Sequence, residues 1–289
     1  MAGFKETPRQ KMIGMMYLVL TALLALNISK EILDGFVKVD NSLLQTQATL
    51  SSKIHDTYTA LELKYNSNQV KVGPFYDEAQ KITKKSEELI TYLNKLKARC
   101  LAASEGDFKK QEKIKDKNGD PILDENGHPV KPFWKYYGKD ENGRDTTLNL
   151  EYIIRQDEFQ ALTSFMVGSD ALNPKKGKWT ANGLKQAIEA FRDSISKTSV
   201  IDVDGNLISL PLSSVKSLNE RFTLGDELED GKMVSWEEAN FFDNPLCAVI
   251  PLMSKMIIDV QDAEEDVIGW LLSSTEAKSL KFSEVMPLT

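Results

Sequence analysis

Little in this 289-residue chain looks like catalytic equipment. It holds two histidines, His55 and His128, and neither sits at a spacing that binds metal. It has no glycine-rich phosphate loop and no serine-, cysteine- or threonine-centred nucleophile motif. These absences exclude the common enzyme classes and predict no cofactor and no metal. Arrays of basic residues with interleaved aromatics are also missing, and the formal net charge is −7, which argues against nucleic acid. The acidic balance reads as solubility. There are two cysteines, Cys100 and Cys247. An oxidising compartment would permit a disulfide between them, and two buried unpaired thiols fit equally, because sequence does not set their distance.

A further absence carries more information. No residue from Met12 to Ile28 is charged, and that run follows the basic stretch Lys5-Glu6-Thr7-Pro8-Arg9-Gln10-Lys11. A membrane helix needs about 20 largely apolar residues, and from Pro8 the chain would cross by about Ile28. A cleaved signal peptide would end in a small-x-small site, whereas this run ends Leu24-Ala25-Leu26-Asn27-Ile28-Ser29. An uncleaved anchor is therefore expected over 8–30. Lys5, Arg9 and Lys11 precede it, and nearly balanced charges follow, so residues 1–7 should stay in the cytoplasm and 31–289 should lie in the periplasm.

The start of this helix is unusual. Thr7 suits the N-cap, Pro8 the first helical position and Gln10 the capping-box partner. That places Arg9 in the first turn, where the helix dipole and the adjacent hydrocarbon both disfavour a cation. Arg9 is either a topology signal snorkelling to headgroups or the counter-charge of a partner's carboxylate. Tyr17 lies eight residues on, on roughly the same side. It is either a packing aromatic or a hydrogen-bond donor to a partner.

Beyond the span, the pattern predicts a mainly α fold, a helical bundle with turn-rich and β-hairpin insertions. There is enough chain for one large domain or two small ones. Apolar residues at Ile28, Ile32, Phe36, Val39, Leu43, Leu50, Ile54 and Leu61 predict one long amphipathic helix. The stretch Asn66 to Pro74, punctuated by Gly73-Pro74, should break it, with a second helix over about 75–103 forming an antiparallel hairpin with the first. Asn118-Gly119, Asn126-Gly127 and Asn142-Gly143 mark an elaborated loop over about 106–147, with Trp134, Tyr136 and Tyr137 anchoring it on the bundle or, as the lesser alternative, forming a partner surface. Asp116–Asp120 fails as a calcium loop, because the sixth position is Pro121 and the twelfth is Gly127. Asp202–Asn206 reads as a hairpin turn between Val200-Ile201 and Leu207-Ile208. Helices are expected over about 147–171, 180–197 and 213–222. A last one should run from about Asn244 to Ser274, with a kink or delayed start at Pro251. Glu264-Glu265-Asp266 reads as a solvated helix face.

Thr7-Pro8-Arg9-Gln10-Lys11-Met12-Ile13, Met16-Tyr17-Leu18-Val19 and Ala25 through Leu33 resemble the start of the GldM family, called PorM in relatives. Asn244-Pro245-Leu246 through Gln261-Asp262 resembles the last helix of that family's first periplasmic domain. The resemblance implies a non-enzymatic inner-membrane motor subunit of gliding motility and type IX secretion. It implies a homodimer whose membrane helices sit in a ring of five copies of GldL, a two-helix membrane protein. Proton flow would turn the dimer and power secretion. It also implies further β-rich periplasmic domains after the helical one, reaching GldK- and GldN-type ring components, so the chain reads as a piece of a longer one. The anchor carries no carboxylate of its own, so the proton-binding group would be GldL's membrane glutamate and Arg9 its counter-charge. The competing reading is a passive membrane-anchored tether or sensor domain, which would tolerate a swapped membrane helix.

Overall fold

A computed structural model describes residues 11–18, 30–105, 137–139, 145–148, 150, 153, 155–229 and 231–283. Its elements in chain order are α1 (Lys30–Ser67), α2 (Gln69–Glu105), β1 (Tyr137–Lys139), β2 (Asp145–Leu148), α3 (Gln160–Met166) and α4 (Ala181–Ile195). They continue with β3 (Ser199–Ile201), β4 (Leu207–Ser209), α5 (Leu212–Arg221), β5 (Glu227–Glu229), β6 (Lys232–Val234), α6 (Trp236–Phe241) and α7 (Leu246–Ser283). The described residues are mainly helical, and the six strands among them form three separate antiparallel pairs.

Three long helices build the frame. Tyr76 of α2 stacks on Tyr65 at 4.5 Å and lies 5.5 Å from Tyr58, both on α1. A continuous helix would hold residues 58 and 76 about 27 Å apart, so the chain reverses sharply and α1 and α2 are antiparallel, as expected. The reversal falls at Asn68, inside the expected break over 66–74, but the second helix resumes at once at Gln69 instead of after Gly73-Pro74. The Asn68 side chain accepts from the Lys71 N–H and so caps α2. Pro74 sits inside α2. The helix survives it because Val72 and Phe75 on either side are buried in the core, each burial stabilising by about 1.5–3 kcal/mol.

α7 lies against both partners. Asp40, Ser51 and Lys53 of α1 meet Ser254, Gln261 and Glu265 of α7 in rising order, so these two helices are parallel. α7 opens on Pro245 and carries Pro251 within it, so its start is not delayed. Its first amides are met from outside: Leu246 and Cys247 donate to the Glu158 and Gln156 carbonyls. This explains why the helix expected over 147–171 shrinks to the seven residues of α3. Residues 155–159 are non-helical, and two of their carbonyls are spent on capping α7. The Gln156 amide holds the Leu150 and Ile153 carbonyls.

The smaller elements cover the flank of the frame. Thr180 caps α4, whose Leu184, Ile188, Phe191 and Ile195 form the buried stripe that the sequence predicts. β3 and β4 pair around Asp202–Asn206 in the expected register, Val200 opposite Ile208. The buried Asp202 carboxylate accepts from the Asp204 and Asn206 amides, and Gly205 supplies the positive φ of the turn. The β5–β6 pair and α6 are additional. The Asp230-Gly231 pair that joins those strands is a hairpin signal in the sequence.

Most of the expected anchor lies outside the described residues, and with it Thr7, Pro8, Arg9 and Gln10. So do Trp134, Tyr136, His128 and the Asp116–Asp120 stretch. Residues 11–18 are helical, and every one is exposed. Among the described residues no helix is long and apolar enough to cross a membrane.

Candidate functional site

The inward face of α1 follows the apolar stripe read from the sequence only in part: Phe36, Ile54 and Leu61 pack into the core as expected. Ile32 and Val39 are about half exposed, at 53 % and 52 %, while the buried positions include Asp40 and Gln47. Both polar residues face α7, and a polar seam runs where α1, α2 and α7 meet.

At its lower end Lys97 of α2 donates to the Ser254 hydroxyl at 2.6 Å, and Ser254 donates to Asp40 Oδ1 at 2.7 Å. A hydroxyl has a single proton. It goes to the carboxylate, the nearer and charged acceptor, rather than to the Ile250 carbonyl at 3.2 Å. Asp40, Lys97 and Ser254 are all buried, and Asp40 Oδ2 has no partner. Burial raises the Asp40 carboxyl, and the Lys97 charge and the Ser254 bond offset this only in part. Burial likewise pushes the Lys97 ammonium down to about 8, against the pull of Asp40.

The next layer is neutral. Gln47 donates to the Ser254 carbonyl at 2.9 Å, and Gln261 donates to the Ser51 hydroxyl at 2.8 Å. Above it Glu264 is buried rather than solvated, which corrects the sequence reading of that acidic run. Burial raises its carboxyl. The Thr83 and Ser86 hydroxyls face it without closing a hydrogen bond of good geometry, and they lower it only in part. Its neighbours do lie outward, Glu265 pairing with Lys53 and Asp266 with Arg221.

This arrangement suits register rather than catalysis. Each polar layer has one axial position at which its partners meet, so sliding any helix by a turn would strand buried polar groups. Among the described residues no cluster of carboxylates, histidines and cysteines could hold a metal. Cys100 and Cys247 are buried free thiols, Cys100 lying 3.6 Å from the Met166 sulfur. Burial raises both thiols, Cys247 to about 11. Sequence reading missed the seam itself. Its signal was present as Asp40, Gln47 and Lys97 on the inward faces of helices whose inward residues are mostly apolar.

Of the residues picked out from sequence, Tyr17 falls in the exposed helical segment 11–18. Arg9 and its capping residues Thr7, Pro8 and Gln10 lie outside the described residues.

No curated protein sequence matches the chain. The family model for the GldM N-terminal domain matches residues 31–128 and 138–274, which is most of the chain and reaches from the first turn of α1 almost to the end of α7. That family consists of envelope-associated subunits rather than known enzymes, working with membrane-complex partners. The chain belongs to the GldM family and is a component of gliding motility and type IX secretion.

Proposed function

We propose that the chain is the turning element of a proton-motive-force-driven motor in the inner membrane. In this reading residues 8–30 span the membrane with 1–7 in the cytoplasm. Two copies sit inside a ring of five GldL-type subunits, and the periplasmic bundle carries their motion outward, towards GldK- and GldN-type components. Arg9 is the counter-charge of a GldL carboxylate, and Tyr17 faces the same ring.

The observation that carries the reading is the parallel run of α1 and α7, tied side chain to side chain along their length. α1 and α7 are parallel, so the chain comes in at one end of the frame and leaves α7 at the other. A 38-residue helix is about 57 Å long, and the polar seam ties the two helices at several heights. Two further features support the reading. Residues 12–18 put Met12, Ile13, Met15, Met16, Tyr17 and Leu18 all round one helix, each at least half exposed. Such a helix needs lipid or a partner to cover it. Ile32 and Val39 are exposed one heptad apart on α1, as a self-association seam requires.

The test is Arg9→Ala and Arg9→Lys in the full chain, with secretion of a type IX cargo and gliding speed as readouts. Both should fall in Arg9→Ala while the complex still assembles. Lysine should rescue incompletely, because it keeps the charge and loses the planar fork. Native mass spectrometry of the complex should give two copies with five. Normal secretion by an assembled Arg9→Ala complex would refute the coupling role, and a membrane helix that can be swapped freely would favour a passive tether.

A further inference from the structure

The chain is acidic, yet one flank of it is not. Three adjoining hollows of about 320, 460 and 580 Å³ lie between α2, α4 and the loop that precedes α4, and all three share Tyr92. Lys84, Lys85, Lys95, Lys176 and Lys178 line them, and the Arg99 guanidinium lies 4.3 Å from the Trp179 ring centre at their edge. Against these six cations the lining carries two carboxylates, Glu87 and Glu88. Among the described residues, Lys84, Lys95, Lys176 and Lys178 form no ion pair. A net-negative protein has ample carboxylate with which to neutralise such a cluster, yet among the described residues only Glu87 and Glu88 line it.

The groove is also built. Tyr92 stacks on Trp179 at 5.2 Å, and its hydroxyl donates to the Lys178 carbonyl. The Thr180 hydroxyl donates to the Gly177 carbonyl, and the Lys175 N–H donates to the Val167 carbonyl at 2.6 Å. A Cβ at Gly183 would stand 2.2 Å from the Gly177 oxygen, so the loop lies directly on the first turn of α4. The lysines are thus presented from a backbone already fixed in place, which lowers the ordering cost of binding. One hollow has an apolar floor of Leu89, Ala187 and Phe191, suited to an aliphatic side chain.

We infer that this groove docks an acidic peptide segment of a partner protein, its carboxylates on the lysines and an aliphatic anchor on the Leu89–Phe191 floor. Charge complementarity selects the occupant. Base stacking, which single-stranded nucleic acid needs, is less well served, because the Trp179 ring is already engaged by Tyr92 and Arg99. The inference stands independently of the motor reading, since no groove residue belongs to the membrane segment.

The test uses the full chain in detergent micelles and a fluorescein-labelled peptide of about twelve Glu, Asp and Leu residues, long enough when extended to span the hollows. Anisotropy should show saturable binding that weakens with added salt. Lys95→Glu/Lys178→Glu should weaken it at least about tenfold, and Glu88→Lys should strengthen it severalfold. Lys216→Glu/Lys232→Glu, away from the groove, should leave it unchanged. Absence of binding, or equal weakening in that control, would overturn the proposal. So would groove-dependent binding of single-stranded DNA or dextran sulfate in preference to the peptide. Because both exposed charge reversals leave the packed faces intact, circular dichroism of each variant separates lost binding from lost fold.

Discussion

Replacing Lys97 by methionine probes the polar seam most directly. Methionine keeps the length of the side chain and removes its charge. The Asp40 carboxylate is then left wholly buried with the Ser254 hydroxyl as its one hydrogen-bond donor, its other oxygen having no partner even in the parent. Breaking a buried pair from one side costs about 3–5 kcal/mol. For a domain of this size each kcal/mol shifts the midpoint by about 2–4 °C, so the melting temperature should fall by roughly 10 °C. Asp40→Leu should cost a similar amount, by stranding Lys97. The double variant Asp40→Leu/Lys97→Met should return to within about 1 kcal/mol of the parent, because no buried charge remains. Urea unfolding of the full chain in detergent, followed by far-ultraviolet circular dichroism, measures all four corners of the cycle. If the double variant loses the sum of the two single losses, the groups do not interact and the argument for the seam fails.

The same cycle has a pH signature. Burial brings the folded Lys97 ammonium down to about 8 from an ordinary 10.5. Between those values the unfolded chain binds more protons at this site, so its contribution to stability rises with pH. It is fully present above 10.5 and is lost as pH falls through about 8. The parent should therefore gain stability relative to Lys97→Met across that window, and a flat difference would contradict the burial of the ammonium.

Two other perturbations follow from the structure. Glu264→Gln removes a buried carboxylate whose titration is raised by burial; the variant should unfold at higher urea than the parent at pH 7. That advantage should shrink as pH falls through the folded value, where Glu264 takes up its proton and its folded form becomes favourable. Gly183→Ala forces a Cβ against the Gly177 and Lys178 carbonyls, and should cost about 1–3 kcal/mol in urea unfolding while weakening the acidic peptide by displacing the lysine-bearing loop.

The sequence made the frame legible wherever apolar periodicity and burial coincide. α4 is the clear case: Thr180 caps it, and its apolar positions at three- and four-residue spacing are the ones that face the core. The β3–β4 hairpin was readable because Asp202–Asn206 carries its own turn chemistry. Periodicity failed where the chain serves a distant element. Leu150 and Ile153 are buried at the helical spacing expected of 147–171, yet the residues that follow stay non-helical, because the first turn of α7 takes the Gln156 and Glu158 carbonyls. It failed again on α1, where an apolar count credits Ile32 and Val39 to the core and overlooks Asp40 and Gln47. A polar residue on an inward face is invisible to such a count until its partners, here more than two hundred residues away, are known.

That failure bears on function. A bundle held by apolar contacts alone can repack by small rotations of its helices, since hydrophobic attraction has no direction. Hydrogen bonds have direction, and buried ones are costly to break without replacement. In the Asp40–Ser254–Lys97 layer a single hydroxyl serves three helices at once, accepting from α2 and donating to α1 from its place on α7. Turning α1 within the bundle would carry Asp40 away from Ser254 before any apolar neighbour lost much contact. The layer therefore resists the motion that would dissipate a torque applied through the N-terminal helix, and a tether that bears only tension along its length has no need of it. In the proposed motor, disabling the layer with Asp40→Leu/Lys97→Met should leave the fold stable and the complex assembled, yet slow secretion and gliding. Unimpaired secretion by that stable double variant would mean that the seam sets the fold and plays no part in transmitting force.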